Sequence, residues 1–337
     1  MMPMMAEILS THTPDLFAAA VRRAAELLRA GEVVALPTET VYGLAANALD
    51  AAAVAKIYQA KGRPAQNPII VHVAGGELVR RCVATWPAVA EDLARAFWPG
   101  PLTLVLPKAR EIPGIVTAGG ATVGVRWPSH PFIQAVIREC GFPLAAPSAN
   151  RSGQLSPTNA EHVRKQLGGC IPLIVDGGQS QVGIESTVVD LTTRPPTVLR
   201  PGMIHDESLI AVTGDLVGSR RLPASGGEPL RSPGLLEKHY APKARLVVLS
   251  WRDTAELKSR LPHPGAGVHV VAHTNIPAAE GFAGVSVVPH DPEAFARALY
   301  AELHRCDEAG AEWIVVEAVP EAPLWRAIAD RLKRAAA

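Results

Sequence analysis

Apolar residues along the first two thirds of this chain recur with two periods that take turns. Phe17, Val21, Ala24, Leu27 and Leu28 form one stripe at helical spacing, opened by Thr13-Pro14-Asp15 and stopped by Gly31. A threonine N-cap, a proline at the first helical position and an acid in the first turn predict a helix there. Residues 33–36 then read as a strand, and Asp50 caps a second helix that runs through Ile57 and Tyr58 and delivers Lys61. Runs at 69–73, 102–106, 122–126, 144–146, 171–175 and 186–191 are apolar, bounded by Gly, Pro or polar clusters, and predict strands. Helical stripes fill the gaps at about 88–97, 131–140 and 159–167. The alternation predicts a mixed α/β domain, and local pattern alone does not give its strand order.

From residue 218 the texture changes. Residues 218–243 hold Pro223, Pro229, Pro233 and Pro242 with Gly226, Gly227 and Gly234, and no apolar period survives, so the stretch reads as a linker or covering loop. From Arg220 to Arg245 it carries six Lys or Arg against two Glu. Beyond it, runs at 246–249, 268–272, 285–288 and 313–316 read as strands separated by helical stripes, one of them at 292–306. That alternation predicts a small Rossmann-like α/β domain with a parallel sheet. The expected division is residues 1–217, a basic Pro/Gly-rich linker at 218–243, and a second domain at 244–337.

Composition narrows the classes. A length of 337 residues is more than one ordinary core needs, in keeping with two domains. Its 33 Lys and Arg against 32 Asp and Glu leave a net charge of +1, so there is no bulk footprint of a dedicated nucleic-acid binder and any anion site is local. Cys82, Cys140, Cys170 and Cys306 lie far apart without Cys-x-x-Cys spacing, which favours reduced thiols over a disulfide scaffold or a zinc site. The Met-rich start lacks a basic region followed by an apolar one, and no apolar run approaches the roughly 18 residues that span a bilayer. A cytoplasmic protein without membrane contact is the expectation. Walker A spacing, a Gly-x-Gly-x-x-Gly after a strand and a Gly-x-Ser-x-Gly elbow are all missing. His269 and His273 have helical zinc spacing but lie in a β-like run, where the rings would stand roughly 13 Å apart, so no metal site is expected.

Two short stretches carry candidate chemistry: Lys61-Gly62-Arg63-Pro64 with Asn67-Pro68 behind it, and Ser148-Ala149-Asn150. Each sits where a strand-like run meets a polar loop. Arginine offers a planar fork of donors and lysine a point charge, and Ser, Asn and backbone N–H groups can complete an anion cradle. Taken alone, Lys61 and Arg63 read more simply as solvated side chains capping the end of the preceding helix.

The words around them resemble the YrdC-like domain of threonylcarbamoyl-AMP synthases. They are, in order, residues 36–44 with Pro37-Thr38-Glu39-Thr40, residues 61–72, Trp98-Pro99-Gly100-Pro101-Leu102-Thr103, Gly124-Val125-Arg126-Trp127-Pro128, residues 147–153, Glu185-Ser186-Thr187 and Leu199-Arg200-Pro201-Gly202. Ser232-Pro233-Gly234 and His239-Tyr240-Ala241-Pro242 resemble the linker of the longer, two-domain form. The resemblance implies a mixed-sheet YrdC-like catalytic domain and assigns residues to two sites. Arg126 would take the carboxylate of threonine, with Thr40, His72, the carbonyl of Ala146 and the hydroxyl of Ser186 completing that pocket. ATP would meet Lys61, Arg63, Asn67, Thr122, Ser148, Asn150, Ser156 and Arg200, with His239 or Tyr240 reaching in from the linker. Lys61 and Arg63 would act catalytically on the phosphates. Read without the resemblance, Arg126 is a strand-end surface ion pair, His72 a core histidine, and Ser156 an ordinary helix start.

The implied reaction joins L-threonine, bicarbonate and ATP into threonylcarbamoyl-adenylate and pyrophosphate, which a separate transferase complex uses to modify tRNA. No side-chain nucleophile stands out, so positioning of two anionic substrates in a cationic, water-poor pocket is the expected source of rate. No acidic cluster offers to hold magnesium, which would ride on the phosphates and water. Two other classes compete: a double-stranded RNA or tRNA-binding module without catalysis, and a carbamoyl-transferring maturation factor that shares this domain. The near-neutral charge opposes the first and the missing Cys-x-x-Cys pairs the second. Direct tRNA contact is left open.

Overall fold

The computed structural model describes residues 5–218, 232, 240–261 and 267–337. Among them, ten strands make a first sheet: β1 (Glu7–Ser10), β2 (Val34–Leu36), β3 (Gly43–Asn47), β4 (Val71–His72), β5 (Leu102–Pro107), β6 (Thr122–Arg126), β7 (Leu144–Ala145), β8 (Leu173–Asp176), β9 (Thr187–Asp190) and β10 (Thr197–Arg200). Their order is β1-β8-β2-β3-β7-β4-β6-β5-β9-β10. β1, β8 and β2 are parallel, as are β4 with β6 and β5 with β9, and the remaining neighbours run antiparallel. The expected mixed sheet is therefore present.

Seven helices accompany it: α1 (Pro14–Arg29), α2 (Ala51–Lys61), α3 (Gly76–Cys82), α4 (Ala88–Phe97), α5 (Pro131–Cys140), α6 (Ala160–Leu167) and α7 (Asp206–Thr213). The Thr13 hydroxyl accepts the Leu16 N–H at 3.2 Å, and one carboxylate oxygen of Asp50 accepts from Ala52 and Ala53 at 2.8 and 3.2 Å. Both are side-chain caps of otherwise orphaned donors. α2 stops at Gly62, whose φ of 60° lies in the left-handed region where a Cβ is strained. Lys61 is thereby the last helical residue and turns inward.

Alternation sorts the strands between two faces. Val34 and Leu36 pack with Ala45, Leu144, Leu173 and Val175 against α1 and α5. Val33 and Ala35 point the other way, into the larger core that holds Leu44, Val54, Ile57, Val71, Leu102 and Leu104. The face that carries α1 and α5 over β8, β2, β3 and β7 continues across β4, β6, β5 and β9. There the period of two brings Ile70 and His72 out together, and the register sets His72 beside Arg126.

The second sheet is parallel throughout, in the order β11-β14-β12-β13, from β11 (Arg245–Leu249), β12 (Val268–Ala272), β13 (Gly284–Val287) and β14 (Trp313–Glu317). It carries α8 (Thr254–Arg260), α9 (Pro292–Glu308) and α10 (Arg326–Ala335). α9 and α10 face the first domain: Phe295, Leu299, Tyr300 and Ile328 share one apolar cluster with Val41, Leu155, Ile184 and Tyr240. No helix among the described residues is long and apolar enough to cross a membrane.

Candidate active site

A cleft enclosing about 520 Å³, open mouth included, lies on that continued face. Ile70, His72, Arg126 and Ala146 form its floor, the loop 38–43 one wall, Ser148 and Arg63 another, and Glu185, Ser186, Arg200 and Tyr240 the far side. A smaller hollow adjoins it along the same face, sharing Ile70 and lined by Thr103, Thr117, Thr122 and Ser232. The Thr103 hydroxyl lies 2.8 Å from that of Ser186, so one hydrogen bond links the two.

Three arginines line the cleft, each in a different state. Arg126 is an internal ion pair: its guanidinium stands 2.7 Å from a Glu39 carboxylate oxygen, both side chains less than a tenth exposed. It also donates to the Thr40 hydroxyl at 3.0 Å and the Gly100 carbonyl at 3.3 Å. Burial, the largest influence, opposes the ionisation of Glu39, but the Arg126 charge and hydrogen bond together with backbone N–H groups outweigh it, so the carboxyl stays below its ordinary range. The 2.7 Å approach is close but poorly aligned, and neither Glu39 oxygen completes a hydrogen bond. Arg63 ties its own loop, donating to the carbonyls of Asn67 and Pro68 at 3.0 and 2.6 Å, and burial lowers its pKa to about 10. Arg200 donates to the carbonyl and hydroxyl of Ser186, both at 3.1 Å, and reaches the Tyr240 hydroxyl at 3.4 Å.

Lys61 is almost wholly buried, its ammonium 2.5 Å from the carbonyl oxygens of Ser148 and Asn150. Burial first, and the Arg63 charge second, push its pKa well below the lysine range. The same two causes in kind, burial and then Arg126, push His72 well below the histidine range, so its ring is neutral. Nδ1 of His72 has no partner, and the fully buried Asn67 amide has none on either atom. A buried polar atom left unpaired costs about 1–3 kcal/mol, and native folds hold few of them. Here His72 on the cleft floor and Asn67 behind its wall hold such atoms, as a site completed by a ligand would.

Of the residues expected from sequence, Thr40, Arg63, His72, Arg126, Ala146, Ser148, Ser186, Arg200 and Tyr240 line the cleft together. Thr122 lines the adjoining hollow instead. Lys61, Asn67 and Asn150 lie behind the wall. The Asn150 amide donates to the carbonyls of Arg151 and Gln154, both at 2.8 Å. Ser156 does not reach the cleft: it is fully buried, and its hydroxyl donates to Glu185 at 2.6 Å. His239 lies outside the described residues.

Family comparison decides the lineage. The family described as telomere recombination, which groups Sua5, YciO and YrdC, matches residues 26–202, and the C-terminal domain of threonylcarbamoyl-AMP synthase matches residues 204–337. A threonylcarbamoyl-AMP synthase of Pyrococcus abyssi is 43% identical over 324 residues, covering 94% of this chain and 93% of its own. This chain belongs to the threonylcarbamoyl-AMP synthase family. A second member, from Bacillus subtilis, is 42% identical over 339 residues, covering 97% of this chain and 94% of its own. The crystal structure of the P. abyssi Sua5 protein complexed with L-threonine matches with a TM-score of 0.88 at 39% identity, covering 98% of this chain and 96% of that one.

Sequence reasoning missed Glu39, Glu185, Tyr300 and Arg331. The first two stood inside the family words, but their roles depend on arginines 87 and 146 residues away along the chain. Arg331 lay in a basic helical stripe indistinguishable from a solvated face. A further cluster, His162, His304 and Glu308, brings three ligand atoms within 4.8 Å of one another. Its two imidazoles stack at 3.8 Å and 20°, so their in-plane lone pairs run side by side rather than converge on an ion. It joins α6 to α9.

Proposed function

We propose that this chain condenses L-threonine, bicarbonate and ATP into threonylcarbamoyl-adenylate and pyrophosphate, in the cleft over β4 and β6. The observation that carries the reading is the convergence of Arg63, Arg126 and Arg200 on one cleft, on whose floor His72 Nδ1 has no partner, in a chain of this family. Residues 1–217 serve as the catalytic unit and 244–337 as a domain docked against it, and the linker expected at 218–243 lies mostly outside the described residues. In this reading the threonine carboxylate meets the free N–H directions of Arg126 beside Thr40, and His72, the Ala146 carbonyl and Ser186 hold the rest of the amino acid. Lys61, Arg63, Asn67, Thr122, Ser148, Asn150, Arg200 and Tyr240 surround the nucleotide.

The chemistry needs an uncharged amine. Nearby guanidinium groups disfavour an ammonium ion and so favour the neutral amine of bound threonine. Its nitrogen lone pair adds to the carbon of carbon dioxide, or of bicarbonate with loss of water, and the nitrogen gives up a proton. A carbamate oxygen then attacks the α-phosphorus, and the bond to the bridging oxygen breaks, its electron pair leaving with pyrophosphate. Lys61 and Arg63 offset the charge that builds on the phosphates, and a water-poor cleft strengthens that interaction. Glu39 and Glu185 are both engaged by arginines, so these residues do not make a magnesium site, and no step is assigned to the metal. The product passes to a separate transferase complex that modifies tRNA, and the setting is cytoplasmic.

The test is purified protein with ATP, threonine and labelled bicarbonate, without tRNA. A labelled adenylate, and pyrophosphate release that requires threonine and bicarbonate together, is the expected result. Release unaffected by omitting threonine, an absolute need for tRNA, or salt-dependent RNA binding without turnover would overturn the reading.

A further inference from the structure

The last helix of the second domain reaches the cleft. Arg331 on α10 is wholly buried, with its Nε 2.7 Å from a Glu185 carboxylate oxygen. Its fork also donates to the carbonyls of Pro201 and Glu185 at 3.1 and 3.3 Å, and its guanidinium lies 5.6 Å from the centre of the Tyr240 ring. Glu185 in turn takes hydrogen bonds from Ser156 at 2.6 Å and from Tyr300 of α9 at 3.2 Å. The two segments that Arg331 grips each precede or follow a cleft residue: Glu185 precedes Ser186, and Pro201 follows Arg200. Their backbones touch. A Cβ added at Gly202 would come within 2.3 Å of the Thr187 nitrogen.

Domain docking does not require this arrangement. The interface already has an apolar cluster, a hydrogen bond from Arg297 to the Gln181 carbonyl at 2.7 Å, and the stacked His162 and His304 rings. A buried ion pair is a poor adhesive, because desolvation consumes most of the attraction and apolar residues often hold as well. What it adds is geometry, since a guanidinium fork bonds several acceptors in fixed directions. We infer that Arg331 is a positioning residue: it fixes residues 185–186 and 200–201 relative to each other and thereby aims Ser186 and Arg200 into the cleft. The second domain is then part of the reaction centre's scaffold. The inference rests on the proposed roles of Ser186 and Arg200.

The experiment compares Arg331→Met, Arg331→Lys, the charge-neutral pair Glu185→Gln with Arg331→Met, and the interface control Arg297→Ala. Adenylate formation, the KM for ATP and for threonine, and the thermal midpoint are read for each. The paired variant removes the two opposite charges together, while Asp330, the second partner of Arg331, keeps Arg334, and it keeps the test alive where Arg331→Met alone fails to fold. Expected is a loss of about 10- to 100-fold in kcat/KM for the Met variants, as small misplacements of reacting groups produce. Arg331→Lys, which can pair with Glu185 but not span to Pro201, falls between them and the wild type, while Arg297→Ala stays within about twofold. Turnover of the folded paired variant within about twofold of wild type, or losses in all variants that simply track the thermal midpoint, overturns the inference. A wild-type protein that forms no adenylate instead overturns the functional reading, and calorimetric binding of a non-hydrolysable ATP analogue to the same variants then still reads Arg331 through the aim of Arg200: unchanged affinity counts against it.

Discussion

Replacing Arg126 by Met would leave Glu39 buried with no cation beside it, and the consequence has a sign that depends on pH. In the wild type, burial raises the Glu39 pKa, and Arg126 with backbone N–H groups together lower it further than burial raises it. A carboxyl whose folded-state pKa is depressed contributes stability above its unfolded value and loses it as pH falls through the folded one. Without Arg126 the dominant influence is burial, the pKa rises, and the contribution reverses, favouring the fold at low pH and costing stability as pH rises. Breaking a buried pair on one side costs about 3–5 kcal/mol. For a domain of this size each kcal/mol moves the thermal midpoint by about 2–4 °C, so the variant should melt about 6–20 °C below wild type near neutral pH. Scanning calorimetry at pH 7.5 and pH 5 should show the gap narrowing at the lower pH, by about 1.4 kcal/mol for each pH unit crossed between the two pKa values. The same variant should lose about 10- to 150-fold in threonine affinity, the equivalent of one charge-assisted hydrogen bond or pair. An equal gap at both pH values would refute the assignment of the deficit to Glu39, and undiminished threonine affinity would remove Arg126 from the amino-acid pocket.

Other outcomes test neighbouring parts of the site. Arg63→Ala should weaken ATP binding and turnover while leaving threonine affinity within about threefold, a pattern that separate titrations resolve. Asn67→Leu replaces a buried amide with no partner on either atom by an apolar group of similar size, so its thermal midpoint should hold or rise while ATP affinity falls about tenfold. A drop in midpoint would mean that the amide already has partners in the empty protein. Tyr240→Ala removes a ring from the far side of the cleft, and should raise the ratio of AMP to threonylcarbamoyl-adenylate among products, because water then reaches the adenylate. An unchanged product ratio would leave Tyr240 no part in excluding water.

The helices with side-chain caps were legible because their signals are local: Thr13-Pro14 and Asp50 act within one turn of themselves. β1, β3 and β10 were not foreseen. β3 reads Gly-Leu-Ala-Ala-Asn, without the β-branched residues that mark a strand, and owes its conformation to β2 and β7 on either side. The run at 69–73 shrank to a two-residue ladder, Val71–His72, since only those residues find partners in register. The parallel second sheet followed directly from its alternating elements. In the site, residues named by a motif largely gather around one cleft, and Ser156 shows the limit: a hydroxyl at a helix start gave no hint that its acceptor, Glu185, lies 29 residues on. Glu39 and Arg331 act through partners that only the fold brings near.

Lys61 carries a consequence for the thermodynamics of the nucleotide site. Its ammonium is held by two carbonyl dipoles with no carboxylate partner among the described residues, and burial has already lowered its hold on the proton. In the proposed reading a polyphosphate arriving nearby restores that hold, so the complex binds protons more tightly than the empty protein. Nucleotide binding then draws a proton from the medium, and affinity weakens as the solution becomes more alkaline. The heat of binding should vary with the ionisation enthalpy of the buffer, and a heat independent of buffer would mean that Lys61 is charged before ATP arrives. The cleft in this view is a proton acceptor as well as an anion site, because its cation has no acid beside it among the described residues.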